Sequence, residues 1–367
     1  MDIAKAKVSH SSTVPGDAAA TQHTATGAGK DLPNLDVLRS VAVGLVLVGH
    51  INGALSPRHY GTFHGAFGVG LFFVHTALVL MWSLERRPQV LDFYVRRVAR
   101  IYPLAIVVVL IAVATHAKVN AFRDDGSFFL YSAPTVKQTL SHLMLVQNLF
   151  SGNFIVYPMW SLPIEMQMYV VLPVLFFFLR KNMALWTLLL FWALGAEFAH
   201  KAFGPQEINL AVAAPYFLSG LMAYVGFLQR KAVLPGWSFV VALGALLWAG
   251  GHAGDWQRGW WACLALGLGL PLFRQLQRGP LTRAGWTIAR YSYGIYMTHP
   301  FAILLGFYVC RDFGRPVQFA MLVGSLVTFS LAAYHLIEVP GRRLGAKAAA
   351  ALARRFPMPV AAEPAPR

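Results

Sequence analysis

Charge is scarce in this chain of 367 residues: Asp, Glu, Lys and Arg together make up 13%, while 57% of the residues are hydrophobic. That composition cannot cover a soluble domain with polar surface, so the class is a polytopic membrane protein. Cysteine is nearly absent too. Cys263 lies within an apolar run and Cys310 at the end of one; two cysteines allow a single bridge at most and suggest no metal site. Acidic residues are few, 15 against 31 basic ones, leaving a balance of +16. In a membrane chain such an excess is read through the positive-inside rule, and no nucleic-acid partner is expected. The first 33 residues lack any apolar run and are rich in Ala, Thr, Ser and Gly. They read as a disordered cytoplasmic tail, not a cleavable signal peptide. No internal repeat and no extramembrane domain stand out.

What the chain does have is a succession of apolar runs long enough to cross the hydrocarbon core. They fall at 35–55, 65–84, 101–117, 163–179, 183–199, 209–228, 237–251, 259–273, 291–309 and 317–339. Helices are expected, because backbone groups in lipid must be satisfied within the spanning segment. The fold class is therefore all-α, a bundle of about ten transmembrane helices with both termini on one side. The N-terminal tail, the loops after even-numbered spans and the C-terminus hold 23 of the 31 basic residues, which places both termini in the cytoplasm. The expected organisation is a tail at 1–33, a membrane domain at 34–345 and a second cytoplasmic tail at 346–367. Between the second and third spans, "LDFYVRRVARIYP" reads as an amphipathic helix on the cytoplasmic surface. The longest external connection, about 118–162, contains "TLSHLMLVQNLF", a short interfacial or re-entrant helix.

Several spans carry residues that are costly in lipid, and such residues usually face the bundle interior. In "LDVLRSVAVGLVLVGH", Arg39 and His50 are separated by ten residues, so both share one helix face about 16 Å apart along the axis. Glu165 opens the fourth span about 22 Å above the anchor Arg180, and His75 and His299 lie roughly 13–17 Å above Arg86 and Arg290. Glu338 and His335 close the last span near the cytoplasm. The bland alternatives are definite. A lone His within a span, such as His75 or His335, is often a packing residue. His59, His64, His200 and His252 stand at external ends. Arg39 suits an interfacial anchor, Arg86 and Arg87 suit topology determinants, and Arg96, Arg97 and Arg100 suit anionic lipid. Together, however, these residues make a basic cytoplasmic mouth below a polar interior of His and Glu. A phosphate-bearing donor can anchor on the arginines and reach upward with a thin arm. There His50 can act as general base or nucleophile, with Glu165 orienting the imidazole or balancing its charge. Acyl-coenzyme A has that shape.

The same residues resemble the acyltransferase-3 family of integral membrane acyltransferases. "LDVLRSVAVGLVLVGH" is similar to its first-span Arg-and-His motif, and "FGVGLFFVHTALVL" to its "GVDLFFVLSGFLI" pattern. "YVRRVARIYP" matches its Arg-Arg-x-x-Arg motif, "MWSLPIEMQMYVVLPVL" resembles "WSLSVEEQFYLLLPLL", and "YSYGIYMTHP" resembles "SYSLYLWHP". "YHLIEVP" is a common ending of the last helix. The resemblance implies transfer of an acyl group, usually acetyl from acetyl-coenzyme A, to a hydroxyl of a surface or exported carbohydrate such as O-antigen, lipopolysaccharide or exopolysaccharide. It implies an enzyme of the bacterial inner membrane that needs no metal. By position it makes His50, Arg39 and Glu165 the catalytic group and Arg96, Arg97 and Arg100 the donor-binding group; His75, Tyr169, Tyr296 and His299 are further pocket candidates. Three departures stand out: Gly70 replaces the usual Asp, Met166 replaces a second acid, and His75-Thr76-Ala77 stands where Leu-Ser-Gly is common. No esterase-like domain is expected after the last span. Two other readings are a transporter of a polar solute or lipid-linked sugar, and an acyltransferase of a small molecule such as a macrolide or lipo-oligosaccharide. Oligomeric state leaves no mark on the sequence.

Overall fold

The computed structural model describes residues 32–55, 64–119, 129–131, 133–150, 154–179, 185–204, 207, 209–251 and 256–355. Most of the first tail, the last residues of the chain, His59, Arg180 and His252 lie outside that set. Ten helices cover the ten expected runs: α1 (Pro33–Leu55), α2 (His64–Arg86), α3 (Val90–Ala114), α6 (Ser161–Leu179), α7 (Leu185–Ala202), α8 (Leu210–Gln229), α9 (Gly236–Gly251), α10 (Trp256–Gly269), α11 (Pro280–Ile303) and α12 (Arg315–Ala332). Two short helices, α4 (Val136–Leu143) and α5 (Gln147–Phe150), and a C-terminal α13 (Val339–Arg355) complete the set.

Among the described residues, six segments are long and apolar enough to cross a membrane: 33–55, 64–86, 90–114, 157–179, 210–229 and 315–355. The expectation of about ten therefore exceeds what length and hydropathy support. The reasons are local. α9 and α10 have 16 and 14 residues, short of the roughly 20 a span needs. α11 has 24 residues, but Arg283, Arg290 and several hydroxyls lower its hydropathy.

Three further differences are instructive. The basic stretch expected as a separate surface helix is the first part of α3, which runs unbroken through Pro103. The last helix does not stop at the end of the apolar run. A π-helical turn at Ala333–Glu338 carries α12 into α13, which reaches Arg355. The architecture is helical apart from two three-residue strands, β1 (Ala117–Val119) and β2 (Phe129–Tyr131), paired antiparallel.

Local chemistry starts the helices where they start. Pro33 opens α1, where a missing N–H costs nothing, and Asp36 in the first turn complements the helix dipole. Thr135 caps α4 in a reciprocal box with Gln138, and the Asn209 side chain accepts from the Val212 amide at the start of α8.

The centre is a row of packed helices in which α1 touches α11 and α2, α2 touches α8, and α8 touches α10 and α7. α2 is enclosed. Phe67, Leu71, Val74, Leu78 and Met81, spaced by four and three, are each at most 1% exposed. Close backbone approach holds this row together, as expected where lipid removes the hydrophobic drive between helices. A Cβ at Gly220 would lie 2.4 Å from the Val74 carbonyl, and one at Gly267 would lie 2.2 Å from that of Ser219. The outward faces of α6, α7, α9 and α12 expose Phe178, Trp186, Leu190, Trp248 and Val323, the surface a bilayer covers.

α1 and α11 run in the same direction. Ser40 Oγ donates to the Gly285 carbonyl at 2.6 Å, Arg39 Nε meets Ser292, and His50 meets His299 further along both helices. The polar stripe of α1 thus faces a polar stripe of α11.

Candidate active site

Five helices line a cavity of about 730 Å³. α1 supplies Arg39; α2 supplies Phe72, His75 and Thr76; α3 supplies Arg97 and Arg100. α6 adds Ser161, Glu165 and Tyr169, and α11 adds Ser292, Tyr293 and Tyr296. Three guanidiniums therefore share a largely buried space whose lining holds one carboxylate, Glu165. Arg39 is within electrostatic reach of Arg100, Glu165 and Glu338. This surplus of positive charge favours an anionic occupant.

Two of the arginines have fixed partners. Arg39 donates through Nε to Ser292 Oγ at 2.5 Å and lies 6.0 Å from the centroid of Phe72. Arg97 lies 5.8 Å from the Phe93 ring and reaches Ser83 at 3.4 Å. Arg96 behaves differently: it leaves the cavity and pairs with Asp92 one turn back, at 2.8 Å. Helix position alone does not make this division, since residue 96 is about 40° from residue 100 and about 100° from residue 97; the bond to Asp92 draws Arg96 aside. Glu165 accepts a hydrogen bond from the Tyr169 hydroxyl, one turn along α6. His75 is 6% exposed and borders the cavity with no hydrogen-bond partner among the described residues.

His50 does not border this cavity. Its ring is 7% exposed and packs edge-on against His299, centroids 4.8 Å apart, with Tyr157 at 6.4 Å. His299 in turn lies 6.0 Å from the ring of Tyr296, which does border the cavity. A line of rings, Tyr296, His299 and His50, therefore leads from the arginine cavity to the first-span histidine. The Tyr296 hydroxyl is latched to the Pro158 carbonyl and to Ser161 Oγ. His50 Nδ1 lies 2.8 Å from the Val46 carbonyl, an atom that only accepts, so Nδ1 carries the proton. Its Nε2 is then a buried acceptor with no partner among the described residues.

The structure brings Arg39, Arg97, Arg100, Glu165, His75, Tyr169 and Tyr296 around one space, sets His50 and His299 beside it, and leaves Arg96 outside. Sequence reasoning missed Ser292, Tyr293, Ser161 and Tyr157. Ser292, Tyr296 and His299 are spaced by four and three on α11, a helical stripe visible in the sequence once His299 is taken as its end. Gly70 also finds its explanation here. A Cβ at that position would lie 2.6 Å from the ring of Tyr216, which fills the place of the missing acid's side chain. The exposed histidines take no part. His200 touches Gln257, and His335 accepts from or donates to the Tyr291 hydroxyl at 3.3 Å. Among the described residues no group of three metal-ligating side chains occurs.

Comparison with known proteins gives the family. The acyltransferase-domain profile matches residues 32–335. The chain is 31% identical over 163 residues to the acyltransferase MdmB of Streptomyces mycarofaciens, covering 41% of this chain and 40% of that protein. It is 29% identical over 157 residues to the peptidoglycan O-acetyltransferase OatA of Listeria monocytogenes, covering 39% of this chain and 24% of that protein. These matches span well under half the length of either relative. No solved structure matches. With the profile running through every wall of the cavity, the chain belongs to the acyltransferase-3 family.

Proposed function

We propose that this protein is a membrane O-acyltransferase that moves an acetyl or other short acyl group from acyl-coenzyme A to a carbohydrate hydroxyl. The observation that carries the reading is the convergence of Arg39, Arg97 and Arg100 on one buried cavity, one tyrosine and one histidine away from the bare Nε2 of His50. Diphosphate and phosphate oxygens suit three guanidiniums, two of them, Arg39 and Arg97, held by aromatic rings and hydroxyls. The slender thioester arm then passes Tyr296, whose hydroxyl latch at Pro158 and Ser161 must release for the acyl carbon to approach His50.

The chemistry balances simply. The acceptor oxygen attacks the thioester carbonyl while its proton moves to His50 Nε2. The carbon–sulfur bond breaks, and the thiolate leaves and takes up that proton. Nδ1, tied to the Val46 carbonyl, holds the imidazole in the tautomer that a general base requires. Glu165 and Tyr169 sit among the arginines, away from the imidazole, so their role in this reading is to balance charge at the donor end. Acceptor candidates are exported glycans such as O-antigen or exopolysaccharide, a reading supported by the likeness to a peptidoglycan O-acetyltransferase. The chain works in the bacterial inner membrane with both termini in the cytoplasm.

The test is transfer by detergent-purified protein from radiolabelled acetyl-coenzyme A to a membrane glycan extract. Incorporation of alkali-labile label that requires His50 supports the reading. Equal incorporation by His50→Ala overturns it.

A further inference from the structure

The mechanism above uses one bare imidazole nitrogen, but the structure holds two. His299 on α11 is 1% exposed, and its Nδ1 lies 2.7 Å from the Tyr296 carbonyl. As at His50, that contact places the proton on Nδ1 and leaves Nε2 as an acceptor. Both Nε2 atoms are buried without a partner among the described residues, on rings whose centroids are 4.8 Å apart. A buried acceptor left unmet is costly, and two side by side are not explained by packing. The α1–α11 pairing puts them there: the stripe that carries Arg39 and His50 faces the stripe that carries Ser292 and His299.

We propose that His299 is a specificity-determining residue for the acceptor, which presents a vicinal diol: one hydroxyl gives its proton to His50 and its neighbour donates to His299. The inference rests on acyl transfer at His50. The argument is a count of donors. A single alcohol has one O–H and leaves one of the two nitrogens unmet, whereas two adjacent hydroxyls meet both. The surroundings favour a neutral ligand over an ammonium group. Among the described residues, the two rings meet the Val46 and Tyr296 carbonyls, each other, Tyr296 and Tyr157, and none of these is a carboxylate. Tyr157, edge-on to Phe154 at 5.8 Å, supplies an aromatic wall of the kind that packs against the apolar face of a sugar ring. His299 also decides which hydroxyl reacts, because the oxygen bonded to it is the one held away from His50.

The experiment uses native membranes containing the full-length chain, labelled with radioactive acetyl-coenzyme A, followed by isolation of the labelled product and placement of the ester by NMR. The expected result is an ester whose adjacent carbon carries a free hydroxyl. An ester with no neighbouring free hydroxyl overturns the diol while leaving acyl transfer intact. No labelled product from the wild type overturns the transfer reading and the diol with it. In the same membranes His299→Leu is expected to raise the acceptor KM and lower kcat/KM by about ten- to hundredfold without changing the donor KM. His299→Gln, whose amide oxygen can accept, recovers most of that loss. A His299→Leu variant within twofold of the wild type for the acceptor, or one whose loss Gln does not relieve, overturns the assignment.

Discussion

Arg39 on α1 donates through Nε to Ser292 on α11 at 2.5 Å, joining two helices 253 residues apart in the chain. The bond uses the one guanidinium N–H that is not part of the outer fork, so the two terminal nitrogens stay available to the cavity. Ser292 is fully buried and itself donates to the Ala289 carbonyl. Ser292→Ala is expected to leave the fold intact and raise the donor KM by about three- to tenfold, the weight of one ordinary hydrogen bond. Arg39→Lys loses the fork as well and is expected to cost more. Donor saturation curves on purified protein check both.

Arg96, Arg97 and Arg100 are adjacent in the sequence but differ in place. Arg97→Ala and Arg100→Ala are each expected to weaken donor binding at least tenfold. Arg96→Ala is expected to stay within about twofold, since its partner is Asp92 and a partly exposed pair contributes about 0–1 kcal/mol. Titration of each variant with coenzyme A separates them; equal losses at all three positions would contradict the division.

His50→Ala removes the proposed base and is expected to reduce transfer by about 10²–10⁴-fold, the range for general-base groups. The protein should stay folded, because the ring makes one hydrogen bond, to its own helix. Turnover beside a thermal melt in the same detergent distinguishes lost chemistry from lost fold.

Gly70→Asp restores the acid common in the family and is expected to destabilise this chain by about 1–3 kcal/mol. The new Cβ meets a Tyr216 ring that is 0% exposed and has no room to withdraw. Combining Gly70→Asp with Tyr216→Ala should cost less than the sum of the two single changes. Thermal midpoints of the two single variants and the double variant provide the check.

His142, on the short helix α4 outside the spans, is a pH-sensitive tie. Its Nδ1 donates to the Gln138 carbonyl at 2.8 Å, and its Nε2 accepts from the Ile155 amide at 2.9 Å, which requires the neutral ring. Burial lowers its pKa from 6.5 to about 4. The unfolded segment therefore binds a proton between those values and the folded one does not. Stability is complete above pH 6.5, falls as pH drops, and loses up to about 1.4 kcal/mol per unit until pH 4. Hydrogen exchange at the Ile155 amide should speed up, relative to its intrinsic rate, across that window. His142→Gln should flatten the effect.

Particular residues show what could be read in advance. The pairing of Arg39 and His50 on one face followed from their spacing alone, as did the helical character of every apolar run. The count of spans did not, because α9 and α10 are apolar but short, and α11 is long but studded with arginine and hydroxyl groups. Arg96 was grouped with its neighbours by motif, and its position on α3, about 40° from Arg100, gave no reason to separate it; the bond to Asp92 decided its place. Ser292 stood out only as a member of the stripe that ends at His299, and Tyr293 carried no signal; their place beside Arg39 and in the cavity depends on which helix α11 packs against.

Composition and periodicity alone determined the membrane class, the helices and the stripe each one presents, because lipid forces backbone bonding within a segment and charges toward the interior. Only the tertiary structure decided that α1 and α11 lie side by side and parallel, and that His50 meets His299 instead of the arginines. Contacts between segments 250 residues apart depend on close-packed glycines and side-chain shapes, which no local pattern encodes.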